Sequence, residues 1–287
     1  MLKRVEKKYI AFLVLIIFVM GILYLYFINQ RTNIMKVAFL DVGQGDSIFI
    51  QAPNGAQMLV DGGRGSRVIS ALGKVMPFGD RSIDVVIGTH PDADHIGGLV
   101  DVFNMYEVDN FIEPGATSKS KIYKTLEGKI EEKKIPHILG RAGMKIYLDK
   151  ESNVYFDILY PDVKDVSRWE TNDASIVGKL VYGNTSIMLT ADSPIKKENY
   201  LINKNTQILD VDILKLGHHG SRTSSSVQFL KATSPQLAII SAGLNNSYGH
   251  PHKEVLDKIG NLDIPYMATY DKGTIVCQSD ATKIMCK

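Results

Sequence analysis

Six of the seven histidines in this chain fall in three short clusters, His90 and His95, His218 and His219, and His250 and His252. Each cluster directly follows an apolar run with the length and composition of a strand, such as "IDVVIG" before His90 and "DILKLG" before His218. Aspartates repeat the arrangement: Asp41 ends "KVAFLD", Asp61 ends "QMLVD" and Asp192 ends "SIMLTAD". A carboxylate at the end of an apolar strand needs a metal, a hydrogen-bond network or a helix N-terminus as partner. Groups held in loops at strand ends by a rigid scaffold are where chemistry concentrates.

The strands come in clusters, with helices between the clusters. "KVAFLDVG", "DSIFIQA" and "QMLVDGG" are short β-rich runs, and "PNGAQ" reads as a hairpin turn. The pattern predicts helices near 66–76, 119–134 and 224–232 and one beginning near Pro251, and a hairpin about Gly183–Asn184. This is neither a strict βαβ repeat nor an all-β pattern, and mixed sheets covered by helices fit it. At 287 residues the chain suffices for one large domain or two small ones, and its net charge of +2 is too small by itself to argue for nucleic acid. Lysines dominate 119–150, either as a solvated helix face or as a surface for a polyanion.

Residues 9–28 carry no charge, and a helix of that length spans about 30 Å, the thickness of a bilayer's hydrocarbon. No A-x-A-like cleavage site follows. The run therefore predicts a transmembrane anchor. Lys3, Arg4, Lys7 and Lys8 put residues 1–8 in the cytoplasm, leaving 29–35 as a linker and 36–287 as a domain outside the cell. Two cysteines, Cys277 and Cys286, would face each other across a hairpin turning near Ala281–Thr282. A disulfide and two buried thiols are both open.

"THPDADHIGG", residues 89–98, places four potential ligands in six positions at the mouth of a helix. His90 and Asp92 can converge on one ion, because alternate residues of an extended loop point the same way. Asp94 and His95 turn with the chain toward a second ion, at the separation of about 3.5–4 Å usual in hydrolytic two-metal sites. Asp192 is suited to bridge the two, and His218 or His219 would complete the ligand set of the second ion.

The motifs "VDGG", "THPDADHIGG", "LTAD" and "LGHHGS", in this order, resemble the metallo-β-lactamase superfamily. "FLDVGQGDSIFI", "NDASIV", "LKLGHHGSRTS" and "NNSYGHP" look more narrowly like the extracellular nuclease-like domain of the ComEC/Rec2 competence proteins. The resemblance implies an α/β fold of αββα type, two mixed sheets flanked by helices, here preceded by one transmembrane helix. It implies one or two divalent ions, Zn²⁺ or Mn²⁺, with Mg²⁺ as a further choice. It maps the metal ligands onto His90, Asp92, Asp94, His95, Asp192 and His218. His219 is then an outer or substrate-facing residue. Asp94, Asp61 and His250 are the candidate catalytic groups, Asp61 by orienting ligands and His250 by contacting phosphate or protonating a leaving oxygen. Ser221, Arg222, Asn172 and Asp41 are candidate substrate-binding or supporting residues, while His252 and His137 are expected to face solvent. Asp92 replaces the superfamily's second histidine, and Asn172 stands where many relatives have another. The first shell is thus rich in oxygen, which suits Mn²⁺ or Mg²⁺, although zinc also accepts carboxylates. The function implied is a membrane-anchored, outward-facing hydrolase that cuts DNA phosphodiesters with metal-activated water. The alternatives are hydrolysis of a phosphocholine ester, a lactone or a β-lactam, or a catalytically impaired DNA-binding module.

Overall fold

The computed structural model describes residues 2–28 and 33–287, except for the side chains of residues 2–7 and 24–28. Residues 1–33 and 34–287 are two separate compact units. The first is one helix, α1 (Leu2–Ile28). Among the described residues no helix is long and apolar enough to cross a membrane. The transmembrane helix expected over 9–28 is therefore not supported there, and its last five residues lie outside the described side chains. The side chains of most of the basic tail, and most of the linker expected over 29–35, also lie outside what is described.

The second unit opens with β1 (Met35–Phe39), β2 (Ile48–Gln51) and β3 (Gln57–Val60), followed by α2 (Arg67–Val75) and β4 (Ser82–Ile87). Next come α3 (Ala93–Ile96), α4 (Leu99–Met105), β5 (Glu107–Glu113), α5 (Lys121–Lys133) and β6 (His137–Leu139). A second run holds β7 (Lys145–Asp149), β8 (Val154–Tyr160), β9 (Val177–Tyr182), β10 (Thr185–Leu189), α6 (Ile195–Asn205) and β11 (Ile213–Lys215). It continues through α7 (Val227–Thr233), β12 (Leu237–Ile240), α8 (Lys253–Asn261), β13 (Tyr266–Ala268) and α9 (Thr269–Lys272). The chain then returns with β14 (Ile275–Ser279) and β15 (Ile284–Cys286) to the first sheet. That sheet has the order β15-β14-β1-β2-β3-β4-β5-β6, and the second has β13-β12-β11-β10-β9-β8-β7.

Each sheet is mixed for the same reason. Hairpins join its antiparallel strands, as at Gly183–Asn184, where Tyr182 pairs with Thr185. Helical crossovers join its parallel ones, β3 to β6 and β10 to β13. Alternate residues of both sheets, among them Phe39, Ile50, Met58, Phe156, Leu180 and Ile187, face each other in a buried central layer. The opposite face of the first sheet packs under α2, α4 and α5 through Phe49, Val86, Leu72, Phe103 and Leu126. That of the second packs under α6, α7 and α8 through Met188, Leu214, Leu201, Phe229 and Val255. The expected αββα sandwich is the observed architecture of the second unit.

The helices expected near 66–76, 119–134 and 224–232 are α2, α5 and α7. Ser120 caps α5 by accepting the Tyr123 N–H at 3.1 Å. Strand β6 and helix α6 were not expected. Only three residues make β6, all exposed at the sheet edge, and α6 has two buried residues, one of them Glu198. Neither leaves a clear apolar period. Cys277 and Cys286 are cross-strand partners of β14 and β15 and are joined as a disulfide, which settles the two readings left open.

Candidate metal centre

The parallel segments β3–β4 and β10–β12 bring their carboxyl ends to one region, and the candidate residues sit there. Asp61 follows β3, His90 to His95 follow β4, Asp192 follows β10, and His218 and His219 follow β11. Asp46 arrives from the opposite direction, just before β2. The backbone is unusual at several of these turns: Asp61, Ala191, His218 and His219 all have positive φ, at 61°, 45°, 50° and 56°. Such conformations cost of order 1–3 kcal/mol for non-glycine residues and cluster at functional sites. Two successive left-handed histidines send their rings in different directions, which is why neighbours in sequence are not equivalent in the site.

Three histidines present the same nitrogen to one point. Asp61 is fully buried and accepts from Thr89 N at 2.8 Å and from Thr89 Oγ1 at 2.7 Å, and His95 Nδ1 lies 2.7 Å from it. A carboxylate oxygen accepts a hydrogen bond from the imidazole, so His95 carries hydrogen on Nδ1 and turns Nε2 inward. Thr89 Oγ1 has given its only hydrogen to Asp61, so His90 Nδ1, 3.1 Å away, must be the donor to it. His219 Nδ1 lies 2.9 Å from the carbonyl of Ser241, an obligate acceptor. Imidazoles oriented in this way by the other ring nitrogen are the usual form of metal-ligating histidine.

The inward atoms are close but not hydrogen-bonded. His95 Nε2 is 3.2 Å from Asp192 Oδ1, and His219 Nε2 is 3.5 Å from both Asp192 Oδ1 and Asp94 Oδ2. His90 Nε2, His95 Nε2, His219 Nε2 and Asp192 Oδ1 are all buried without a hydrogen-bond partner. Donor atoms of His90, His95 and Asp192, and separately of Asp94, His95 and His219, lie within 4.8 Å of one another. Four orphaned donors of the right chemistry around two overlapping points fit one or two divalent cations.

The electrostatics ask for positive charge at the same place. Burial opposes the charged form of Asp192, but His219 and His95 hold its pKa well below the usual carboxylate value. Burial likewise disfavours the His95 cation, yet Asp192 and Asp61 lift it well above the usual histidine value. His219, equally buried, is lifted by Asp192 and Asp46 to about 9. His90 goes the other way, to about 3, through burial and the neighbouring His95.

The geometry favours His219, rather than the expected His218, as the candidate ligand. His219 is buried between Asp94 and Asp192 and belongs to the donor groups. His218 approaches only Asp192, at 3.4 Å, with Nδ1 3.0 Å from Thr223 Oγ1 and a quarter of its side chain exposed. Asp92 lies 3.7 Å from His90 Nε2 on the open side. Asn172, in the short turn Thr171–Ala174, has a buried Oδ1 without a partner. His250 packs its ring 5.4 Å from that of His218 and leaves Nδ1 buried and unpaired. Burial, with His219 and His218 beside it, lowers its pKa to about 4. Ser221 is buried and accepts from Thr223 Oγ1 at 3.0 Å. Arg222 is exposed, 3.5 Å from Glu254 and 3.3 Å from His252 Nε2, so His252 pairs with Arg222 rather than simply facing water. Asp41 stays outside the cluster, exposed, with Oδ1 accepting Gly43 N–H at 3.1 Å to shape its own loop. His137 is far along the sheet, exposed, and 3.0 Å from Glu113.

Sequence reasoning missed Asp46, Lys215 and Thr89. Asp46 is buried, ion-paired with the fully buried Lys215, and 3.3 Å from His219 Nδ1. A signal existed: Lys215 is the one charge inside "ILKLG", and Asp46 stands at the mouth of an apolar strand. Gly45, at φ 125°, lets this loop reach the motif, since a Cβ there would overlap the carbonyl oxygen of Asp94.

Residues 40–243 match the family described as the Metallo-beta-lactamase superfamily. The ComE operon protein 3 of Bacillus subtilis is 33% identical over 258 residues, covering 84% of this chain but 32% of that protein. Recombination protein 2 of Haemophilus influenzae is 30% identical over 228 residues, covering 78% of this chain and 26% of that protein. The chain thus spans between a quarter and a third of the length of these curated relatives. Among solved structures, the metallo-beta-lactamase fold protein YhfI of Bacillus subtilis superposes with a TM-score of 0.53 at 12% identity, covering 88% of this chain and 100% of that one. Two mixed sheets that deliver histidines and aspartates to one set of strand ends, and a family match across most of the chain, lead to one conclusion: this protein belongs to the metallo-beta-lactamase superfamily and has the fold of its metal-dependent hydrolases.

Proposed function

We propose that this protein is a metal-dependent phosphodiesterase that cuts DNA, held outside the cell by an N-terminal membrane anchor. The observation that carries the hydrolytic reading is the set of buried, unpartnered atoms, His90 Nε2, His95 Nε2, His219 Nε2 and Asp192 Oδ1. With Asp94 and the more open Asp92 they are the residues that would hold the metal. When bound there, divalent cations supply a water of lowered pKa and positive charge against the anionic transition state. The chain's own residues prepare that site. Asp61 and Thr89 fix the His90 and His95 rings, and Asp46, braced by Lys215, and the Ser241 carbonyl fix His219. His250, its Nδ1 unpaired and its ring against His218, is the candidate to contact a substrate oxygen or a water. Arg222, exposed and held 3.3 Å from His252, supplies donors for a phosphate.

DNA as substrate is supported by the relative named for recombination and by the resemblance of the motifs to the competence proteins. The anchor and the outward orientation are supported by the uncharged run 9–28 and the basic residues before it. Purified full chain with Mn²⁺ or Zn²⁺ is expected to cut single- or double-stranded DNA, to stop on addition of a chelator, and to lose activity in Asp94→Ala. No cutting with either metal, or cutting indifferent to chelator, overturns the assignment. Hydrolysis of a phosphocholine ester, lactone or β-lactam without DNA cleavage moves the substrate class. For the anchor, the chain is expected in the membrane fraction after alkaline carbonate washing; release into the supernatant refutes it.

A further inference from the structure

A second cluster of ligand-type side chains lies on the helix-covered side of the first sheet, at its β5–β6 edge. Glu113, the last residue of β5, is 6% exposed. Its Oε1 lies 3.0 Å from Nε2 of His137, the first residue of β6. The ring of His137 is seated on Phe111, with centroids 5.5 Å apart, so its direction is set by packing. Glu127 reaches the same point from α5, and its Oε1 is buried without a hydrogen-bond partner. One donor atom from each of the three lies within 4.8 Å of the others.

The charges do not balance internally. Two carboxylates face one imidazole, so a negative charge is left over even when His137 is protonated. Burial, with Glu113 alongside, raises the Glu127 pKa, which records the strain of bringing two acids together. A divalent cation removes the imbalance and satisfies the orphaned oxygen. One imidazole and two carboxylates form a donor set zinc accepts. Donors on a tetrahedral zinc stand about 3.3 Å apart, close to the Glu113–His137 separation. The adjoining open cavity, lined by Lys124, Glu127, Gly128, Ile135 and His137, provides a path from solvent.

We propose that Glu113, Glu127 and His137 form a second divalent-cation site, separate from the central one and tying α5 to the β5–β6 edge. It does not depend on the hydrolase reading, and its test reads bound metal rather than activity. The full chain is dialysed against Zn²⁺ alone, and bound zinc per chain is measured by atomic emission. Glu127→Gln and His137→Ala are each expected to bind about one Zn²⁺ fewer than the wild-type chain. An Asp94→Ala/His219→Ala chain is expected to keep the ion that Glu127→Gln loses. Because Glu127 is only partly buried, Glu127→Gln is the variant that keeps its fold, checked by circular dichroism. Equal zinc in wild type and Glu127→Gln overturns the proposal, whatever His137→Ala does to folding. So does loss of all zinc in the Asp94→Ala/His219→Ala chain.

Discussion

At the scale of single residues, the side chains nearest the centre are set by atoms one step further out. His219 and His218 are neighbours in sequence with nearly the same backbone angles, yet only His219 has its Nδ1 against a buried carbonyl and its Nε2 between Asp94 and Asp192. His219→Ala is therefore expected to weaken metal binding far more than His218→Ala, by a hundredfold or more against about tenfold or less. Competition with a chromophoric chelator measures both; equal losses would restore His218 as a ligand. Asp46 and Lys215 form a wholly buried ion pair. Removing one partner strands the other, at about 3–5 kcal/mol. Lys215→Met is expected to lower stability by that amount in urea unfolding, and Lys215→Met/Asp46→Leu by less than the single change. His90, Asp94, His95 and Asp192 stood out in the sequence as candidates because each lies in a short motif at the end of an apolar run. Asp46 and Thr89 did not, because their role lies in contacts with residues up to 173 positions away in the chain.

At the scale of elements, short parallel strands ending together do most to build the site. The βα turns after β3 and β4 run so close that a Cβ on Gly98 would overlap the carbonyl oxygen of Gly62. Periodicity identified most strands and the helices α2, α5, α7 and α8. It did not identify β6 or α6, whose short length or sparse burial leaves little apolar pattern to detect. The β14–β15 hairpin is another case where pairing adds information: the spacing of Cys277 and Cys286 allowed a bond, and register placed the two opposite each other. Closing so small a loop restricts the unfolded chain by about 2–3 kcal/mol. Cys286→Ser is expected to lower stability by that amount in denaturant titration, with no change in bound metal. An unchanged midpoint would show that the hairpin is held by its strand pairing alone.

At the scale of the whole molecule, the two sheets come together through a continuous apolar layer, and the candidate metal centre sits where their strand ends meet. The centre is therefore expected to couple the two halves. A ligand that binds only the folded chain at a hundred times its Kd adds about 2.7 kcal/mol of stability. Chelator is expected to lower the melting temperature, and re-added Zn²⁺ or Mn²⁺ to restore it. The same Tm in both conditions would mean that the central donors hold no ion. By itself the sequence determined the kinds of element, the strand ends that carry chemistry and the residue types able to hold a metal, because these depend on neighbours within a few positions. Tertiary structure decided which imidazole faces the centre, that a buried lysine–aspartate pair braces it, and that the cysteines meet. Those outcomes rest on distance, burial and ring orientation between segments far apart in the chain, and no local pattern encodes them.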